Sequence, residues 1–256
     1  VFGSPMEYVQ ILQNGSIEAV NLANNHTYDY LDAGYLDTTN TLDEAGIVWS
    51  DEVTIATYEV RGVIIGMAGT SMPINQQAMY NAIDQMRAIG CNIIIISCHW
   101  GDERDYTPND DQIVMGHNLI DYGADIVIGT HPHVVMPVTW IDDTLVIYSL
   151  GNFISAQYQN YSTCTNYKCT VGLMTSLKIE KTVKGEEVNI KIDNVENELI
   201  YNYYNQSSWR GFKVIPFSHP DIAKYLPNYK KVYETYKEVV QRLDNNMYVR
   251  ELALVD

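Results

Sequence analysis

Basic residues are scarce in this sequence of 256 residues. It contains 16 Lys and Arg against 32 Asp and Glu, which gives a formal net charge of −16 at pH 7. Nucleic-acid binding depends on Lys and Arg clustered against phosphates, so this balance excludes a nucleic-acid-binding protein. An anionic ligand would need a local cation, either a basic patch or a metal ion.

Long hydrophobic runs and repeats are also missing. No stretch of about 18 consecutive apolar residues occurs, so the sequence predicts no transmembrane segment. No internal repeat or low-complexity tract is present, which excludes solenoid and disordered architectures. Because 46% of the residues are hydrophobic, the chain can bury the core of one large domain.

The four cysteines do not form the paired CxxC motifs of a structural zinc site. Cys91 and Cys98 flank an apolar run and are interpreted as small buried residues. Cys164 and Cys169 lie in a segment rich in Tyr and Asn that is typical of a loop. They form either a disulfide, as expected outside the cytoplasm, or two thiols, and the sequence leaves both open.

Short apolar runs alternate with helical patterns over the first 150 residues. Such a β-α-β-α-β order predicts an α/β fold with helices packed on a largely parallel sheet. Beyond Phe153, residues 172–194 predict an antiparallel hairpin with Lys184 and Gly185 at its turn. Residues from Asp221 onward predict one or two amphipathic helices. The predicted domains are residues 1–200 and a helical extension over residues 201–256.

Polar side chains follow several predicted strands at the point where each strand ends. They are Asn24, Asn25 and His26, then His99, then His131 and His133. Open α/β sheets bind ligands at the edge where the carboxyl ends of their strands meet. Imidazole nitrogens and amide oxygens are ligands for Zn, Mn or Fe, so this edge is a candidate metal site.

Four motifs together resemble a known family. They are Ala23-Asn-Asn-His26 followed by Asp29, His99-Trp-Gly101, Gly129-Thr-His-Pro-His133, and Tyr148-Ser-Leu-Gly-Asn-Phe153. In this order and spacing they resemble the bacterial capsule synthesis proteins of the CapA family, which serve poly-γ-glutamate biosynthesis. That family is similar to the calcineurin-like metallophosphoesterases, and the resemblance implies their fold.

The resemblance also implies roles for individual residues. It implies Asn25, His99, His131 and His133 as metal ligands. His26 would act near the leaving group and Glu103 as a catalytic carboxylate, although Arg104 stands where the family usually has Tyr. The implied pocket residues are Asn24, Trp100 and Asn152.

The same resemblance implies cofactors, partners and a location. These are a divalent metal (Mn, Zn, Fe or Mg, as one or two ions), an anionic polymer or phosphate-ester substrate, and the membrane synthase subunits of a capsule system. The implied location is extracytoplasmic, at the cell surface, with an upstream membrane anchor.

The sequence departs from the family pattern at its beginning. Metallophosphoesterases use an Asp on the first strand and a bridging Asp on a later one, but residues 1–20 contain only Glu7 and Glu18 as acidic residues. We therefore expect the start of the domain to be missing and this chain to bind metal weakly, because neutral ligands alone do not compensate metal charge.

Other interpretations of these residues stay open. His131 and His133 can line a turn, Asn25 can cap a helix, His99 can be a packed core residue, and Asn152 can belong to a turn. At the level of function, the alternatives to a metal-dependent hydrolase are two. One is a non-catalytic cell-surface accessory protein that binds the polymer or its synthase, and the other is a structural remnant.

Overall fold

The computed structural model describes residues 2–157 and 168–253 of the chain. These residues divide into two compact units. The first unit comprises Val1–Trp100 and Met115–Val127, and the second comprises Gly101–Val114 and Ile128–Asp256. No helix in the described residues is long and apolar enough to cross a membrane.

Six helices and eleven strands are found in the described residues. In chain order they are α1 (Val9–Asn14), β1 (Ala19–Asn21), α2 (Leu31–Ala45), β2 (Val48–Ser50), β3 (Ala56–Val60), β4 (Val63–Ser71), α3 (Gln76–Ile89), β5 (Ile93–His99), α4 (Asp110–Tyr122), β6 (Ile126–Thr130), β7 (Val138–Ile141), β8 (Thr144–Ile147), β9 (Val171–Lys184), β10 (Glu187–Asn205), β11 (Arg210–Pro216), α5 (Ile222–Tyr225) and α6 (Tyr229–Val240).

The first unit is built on the βαβ pattern. Three of its strands stand in the order β3-β4-β5, with β3 antiparallel to β4 and β4 parallel to β5. Strands β1 and β2 form a separate parallel pair. Helix α3 packs on β4 and β5 through a buried face of Met79, Ala82, Ile83 and Met86. It ends at Gly90, whose φ of +90° is accessible to glycine without a steric cost.

The second unit is mainly antiparallel. Strands β9, β10 and β11 form a sheet in the order β11-β10-β9, and β7 pairs with β8 in a hairpin. The long β9/β10 hairpin turns at residues 185–186. Helix α6 buries residues at helical spacing, including Tyr229, Val232, Tyr233 and Tyr236.

The structure confirms the predicted α/β fold, in which helices flank a mostly parallel sheet, as well as the later hairpin and the helical tail. It adds β2, β3 and β7, which are short, and the longer β11, and all four lack a clear alternation of apolar and polar residues. Cys98 is buried and Cys91 is half-buried, and both are free thiols. Cys169 is disulfide-bonded. Cys164 lies outside the described residues, so the pairing of these two cysteines stays a prediction.

Candidate functional site

The loop after β1 holds three of the predicted site residues in a compact turn. Asn24 Oδ1 accepts the backbone N–H of His26 at 2.8 Å, and Asn24 Nδ2 donates to Leu22 O at 3.0 Å. Thr27 Oγ1 donates to Asn24 O at 2.8 Å. These short-range bonds form an Asx-turn. Asn24 therefore shapes the loop that presents Asn25 and His26.

Asn25 and His99 meet at this loop although 74 positions separate them in the chain. His99 Nε2 lies 3.0 Å from Asn25 Oδ1. His99 is the last residue of β5, where its register partner on the parallel strand β4 is Ser71. Two ligands held about 2.1 Å from one metal ion lie about 3 Å apart, so this pair has the spacing and the donor atoms of two metal ligands.

His26 is held by a carboxylate and an aromatic ring. Its Nδ1 lies 3.0 Å from Asp29 Oδ2, and Phe2 meets its ring edge-on at a centroid distance of 4.5 Å. The Phe2 backbone N–H also donates to Asp29 Oδ2 at 2.6 Å. Asp29 thus accepts the hydrogen bond from Nδ1–H of His26, and Nε2 of His26 is left as the ring nitrogen that can exchange a proton with a ligand.

The pKa of Asp29 reflects these contacts. Partial desolvation by itself raises the pKa, but the hydrogen bonds from Phe2 and His26 outweigh it and bring the pKa of Asp29 below its usual value. Asp29 therefore stays ionised and keeps its hydrogen-bonding role toward His26 over the neutral and mildly acidic pH range.

A groove of about 910 Å³ opens beside His26 in the first unit. Asn24, His26 and Asp29 line one part of it, and the remaining lining comes mostly from residues 2–12 and from α2. Among the described residues that line the groove, the acidic ones are Asp29 and Asp37, and none is Lys or Arg. An anionic ligand would therefore need a positive charge from elsewhere to bind here.

Glu103 and His133 come together in the second unit. His133 Nε2 lies 3.9 Å from Glu103 Oε1, and Arg104 Nη1 lies 2.6 Å from Glu103 Oε2. The backbone N–H of Arg104 donates to Pro132 O at 2.8 Å, which joins the two loops. Arg104 therefore partly neutralises Glu103. The Tyr that the family resemblance implies at this position would carry no positive charge.

The two histidines of the Gly129-Thr-His-Pro-His133 segment have unusual backbone angles. His131 has a φ of +95° and His133 a φ of +58°. Residues other than glycine seldom adopt this region, and such strain is concentrated at functional sites. The ring centroids of His131 and His133 are 6.3 Å apart.

Asn152 orients His133. His133 Nδ1 donates to Asn152 Oδ1 at 2.9 Å, while Asn152 Nδ2 donates to Cys169 O at 2.9 Å and to Gln157 Oε1 at 3.0 Å. The Asn152 amide is fixed from both ends, so it holds the His133 ring through Nδ1 and leaves Nε2 as the ring nitrogen that is not bound to Asn152. Asn152 is thus a positioning residue in this unit.

The donor types in both units suit a divalent metal, but their number in each unit is small. Across residues 2–157 and 168–253, no group of three or more His, Cys, Asp and Glu side chains is placed to hold a metal ion. The described residues therefore supply pairs of ligands and not a complete coordination shell. Trp100, predicted for the pocket, is 1% exposed and fully packed.

Two positioning residues were not predicted from the sequence. Asn21, the last residue of β1, donates to Ser50 Oγ at 2.9 Å and accepts the N–H of Ala23 at 3.0 Å, so it fixes the exit of the strand. Asp29 was part of a motif without an assigned role. Its spacing of three residues from His26 was the available signal, but the spacing alone does not reveal the hydrogen bond.

The family model described as bacterial capsule synthesis protein PGA_cap matches residues 1–157, which is more than half of the chain. The chain belongs to this family. It is 31% identical over 175 residues to the PGA biosynthesis protein CapA of Bacillus subtilis (strain 168), covering 59% of this chain and 46% of that protein. It is 28% identical over 177 residues to the capsule biosynthesis protein CapA of Bacillus anthracis, covering 59% of this chain and 43% of that protein.

Family membership confirms the resemblance predicted from the four motifs. The chain spans less than half the length of these two curated relatives. Among solved structures, the sulfate thiohydrolase SoxB of Thermus thermophilus in complex with glycerol is 13% identical with a TM-score of 0.46, covering 94% of this chain and 39% of that one. A likeness of this size does not transfer a function.

Proposed function

We propose that this member of the family takes part in producing a capsule polymer such as poly-γ-glutamate, and that the full-length protein hydrolyses a phosphate ester or a related bond. The observation that carries the hydrolase part of the proposal is the Asn25–His99 pair. Two donor atoms from distant parts of the sequence lie 3.0 Å apart at the carboxyl end of β5. Family membership supports the role in capsule production.

A divalent metal (Mn, Zn, Fe or Mg, as one or two ions) is the cofactor in this proposal. Asn25 and His99 would hold an ion in the first unit. A second ion, where present, would be held by His131 and His133 in the second unit. The metal would supply Lewis acidity and an activated water. These four side chains are neutral, so we expect the 256-residue chain by itself to bind the metal weakly.

The protein's own residues would orient the substrate and move a proton. Asp29 holds Nδ1 of His26, so Nε2 of His26 would deliver a proton to the leaving group. Asn152 orients the His133 ring through Nδ1, and Glu103 would accept a proton in the second unit. Because the described residues that line the groove next to His26 include Asp29 and Asp37 but no Lys or Arg, the anionic part of a substrate would depend on the metal.

The direct test is hydrolysis of a generic phosphate ester by the full-length protein with Mn, Zn, Fe and Mg. Replacing His99 with Ala should lower kcat/KM at least about 100-fold, because losing a ligand should cost more than the roughly 10- to 100-fold loss typical of a partner that only orients a ligand. His117 lies exposed on α4, so His117→Ala serves as the matched control and should leave the rate unchanged. Absence of hydrolysis with all four metals would rule out the hydrolase.

A second candidate function is a non-catalytic accessory protein at the cell surface that holds the anionic polymer or the membrane synthase subunits. The absence of a three-ligand metal group in the described residues favours it. Polymer binding that persists in His131→Ala/His133→Ala, together with no hydrolysis by the full-length protein, would support this alternative. Loss of polymer binding in that variant would count against it.

A further inference from the structure

The turn between β10 and β11 is unusual in this acidic protein. Asp and Glu make up 32 of the 256 residues, or one in eight, yet none occurs between Glu198 and Asp221. Within this segment the charged residues other than His219 are Arg210 and Lys213. The segment is therefore locally basic in a chain whose net charge is −16.

The same turn exposes large aromatic side chains. Residues 205–213 are all exposed. Within them, Trp209 is 60% exposed and Phe212 is 43% exposed. Exposed aromatic residues beside basic ones are typical of surfaces that enter the headgroup region of a membrane, because the rings bury apolar area there while the basic groups contact anionic lipid.

The turn is held in one shape by residues below it. Phe212 stacks on the buried ring of Tyr204 at a centroid distance of 5.1 Å, and Trp209 meets the same ring at 5.7 Å. Asn205 Oδ1 accepts the backbone N–H groups of Ser207 and Ser208 at 3.1 Å each. Because the turn is already held in this shape, it loses little conformational entropy when it binds a partner.

The backbone at Trp209 is strained. Its φ is +53°, in the left-handed region that bulky side chains rarely adopt. Strain at an exposed aromatic residue points to a binding role.

We infer that the β10/β11 turn is a membrane-contact site that inserts Trp209 and Phe212 into the interface of a bilayer containing anionic lipid. Arg210 would contact the headgroups, and Lys213, whose Nζ donates to Tyr225 Oη at 3.2 Å, would add its positive charge beside them. Charge complementarity favours this partner, because the segment between Glu198 and Asp221 carries two basic residues and no Asp or Glu in a protein whose net charge is −16. The exposed indole and phenyl rings favour a lipid interface over a carboxylate polymer, which offers no apolar region to bury them. This site does not depend on the proposed hydrolase.

The β9/β10 turn provides a matched control on the same strand. It also exposes two apolar residues, Val183 and Val188, but the charged residues between them are Lys184, Glu186 and Glu187. A variant with Val183→Ser and Val188→Ser therefore removes apolar surface at a turn where acidic residues outnumber basic ones and which anionic lipid should not attract.

The experiment is flotation of the chain with phosphatidylcholine vesicles, with and without phosphatidylglycerol, at low and high salt. We expect binding only to the vesicles with phosphatidylglycerol, weakened by salt. Trp209→Ser should lower the partition coefficient about tenfold. Arg210→Gln/Lys213→Gln should lower it about 25-fold, at about fivefold for each charge. The Val183→Ser/Val188→Ser control should bind as the unmodified chain does.

Two further readouts keep the inference falsifiable. Brominated lipid should quench the part of the tryptophan fluorescence that comes from Trp209, and this quenching should be absent in Trp209→Ser. Circular dichroism checks that each variant is folded. The charge variant keeps both rings, so it tests the site even if Trp209→Ser misfolds. The inference is overturned by no flotation, or by equal flotation of the Trp209→Ser and valine variants. It is also overturned if only free poly-γ-glutamate changes Trp209 fluorescence, or if the variants change only self-association.

Discussion

At the scale of single residues, the contact between His26 and Asp29 has a pH dependence that follows from the structure. The Asp29 carboxylate accepts hydrogen bonds from Phe2 and His26, and its pKa lies below the usual value of 3.8. A lowered pKa in the folded state stabilises the protein at pH values above 3.8, and this stabilisation is lost as the pH falls through the lowered pKa.

We expect Asp29→Asn to lower the melting temperature at neutral pH. The difference from the unmodified chain should stay constant down to about pH 5 and shrink steadily below pH 3.8. Asp37→Asn, at an exposed position of the same groove, is the matched control. A difference that grows toward acid pH would contradict this assignment.

The chemical character of the site residues could be predicted from the sequence, but their partners could not. Asn25, His26 and His99 each follow an apolar strand, which is a local signal. The 3.0 Å contact between Asn25 and His99 depends on how β1 and β5 are placed in the first unit. The Asn152–His133 bond likewise joins residues 19 positions apart, and no local pattern encodes it.

At the scale of elements, α3 shows how far an apolar pattern predicts packing. Met79, Ile83, Met86 and Ile89 recur at helical spacing and predict one buried face. Ile83 and Met86 are 0% exposed, whereas Ile89 is 52% exposed. The pattern therefore predicted the helix and most of its face correctly. It failed at the last residue, because α3 ends at Gly90 and the chain turns away there.

This difference gives a prediction within one helix. Ile83→Ala should lower the free energy of unfolding by about 2–5 kcal/mol, because it removes a fully buried side chain and leaves a cavity. Ile89→Ala, the matched control near the exposed end, should change it by about 0.5 kcal/mol or less. Urea unfolding measures both. Equal losses for the two variants would contradict the packing of α3 described above.

At the scale of the whole molecule, composition predicted the class of the chain and little of its arrangement. The βαβ rhythm predicted the α/β fold, and four motifs predicted the family that the matched model shows. The predicted boundary near residue 200 stays a prediction. The β11 strand and the aromatic turn before it were not predicted, because the sequence there lacks a regular alternation and its exposed rings become visible only in three dimensions.

The measurement that tests the central claim most directly is the metal content of the full-length protein and of the 256-residue chain by elemental analysis. The account predicts one or two equivalents of a divalent metal in the full-length protein, little in the 256-residue chain, and a loss in the full-length variants Asn25→Ala and His99→Ala but not in His117→Ala. No metal in the full-length protein, even after incubation with Mn or Zn, would contradict the proposed ligand role of Asn25 and His99.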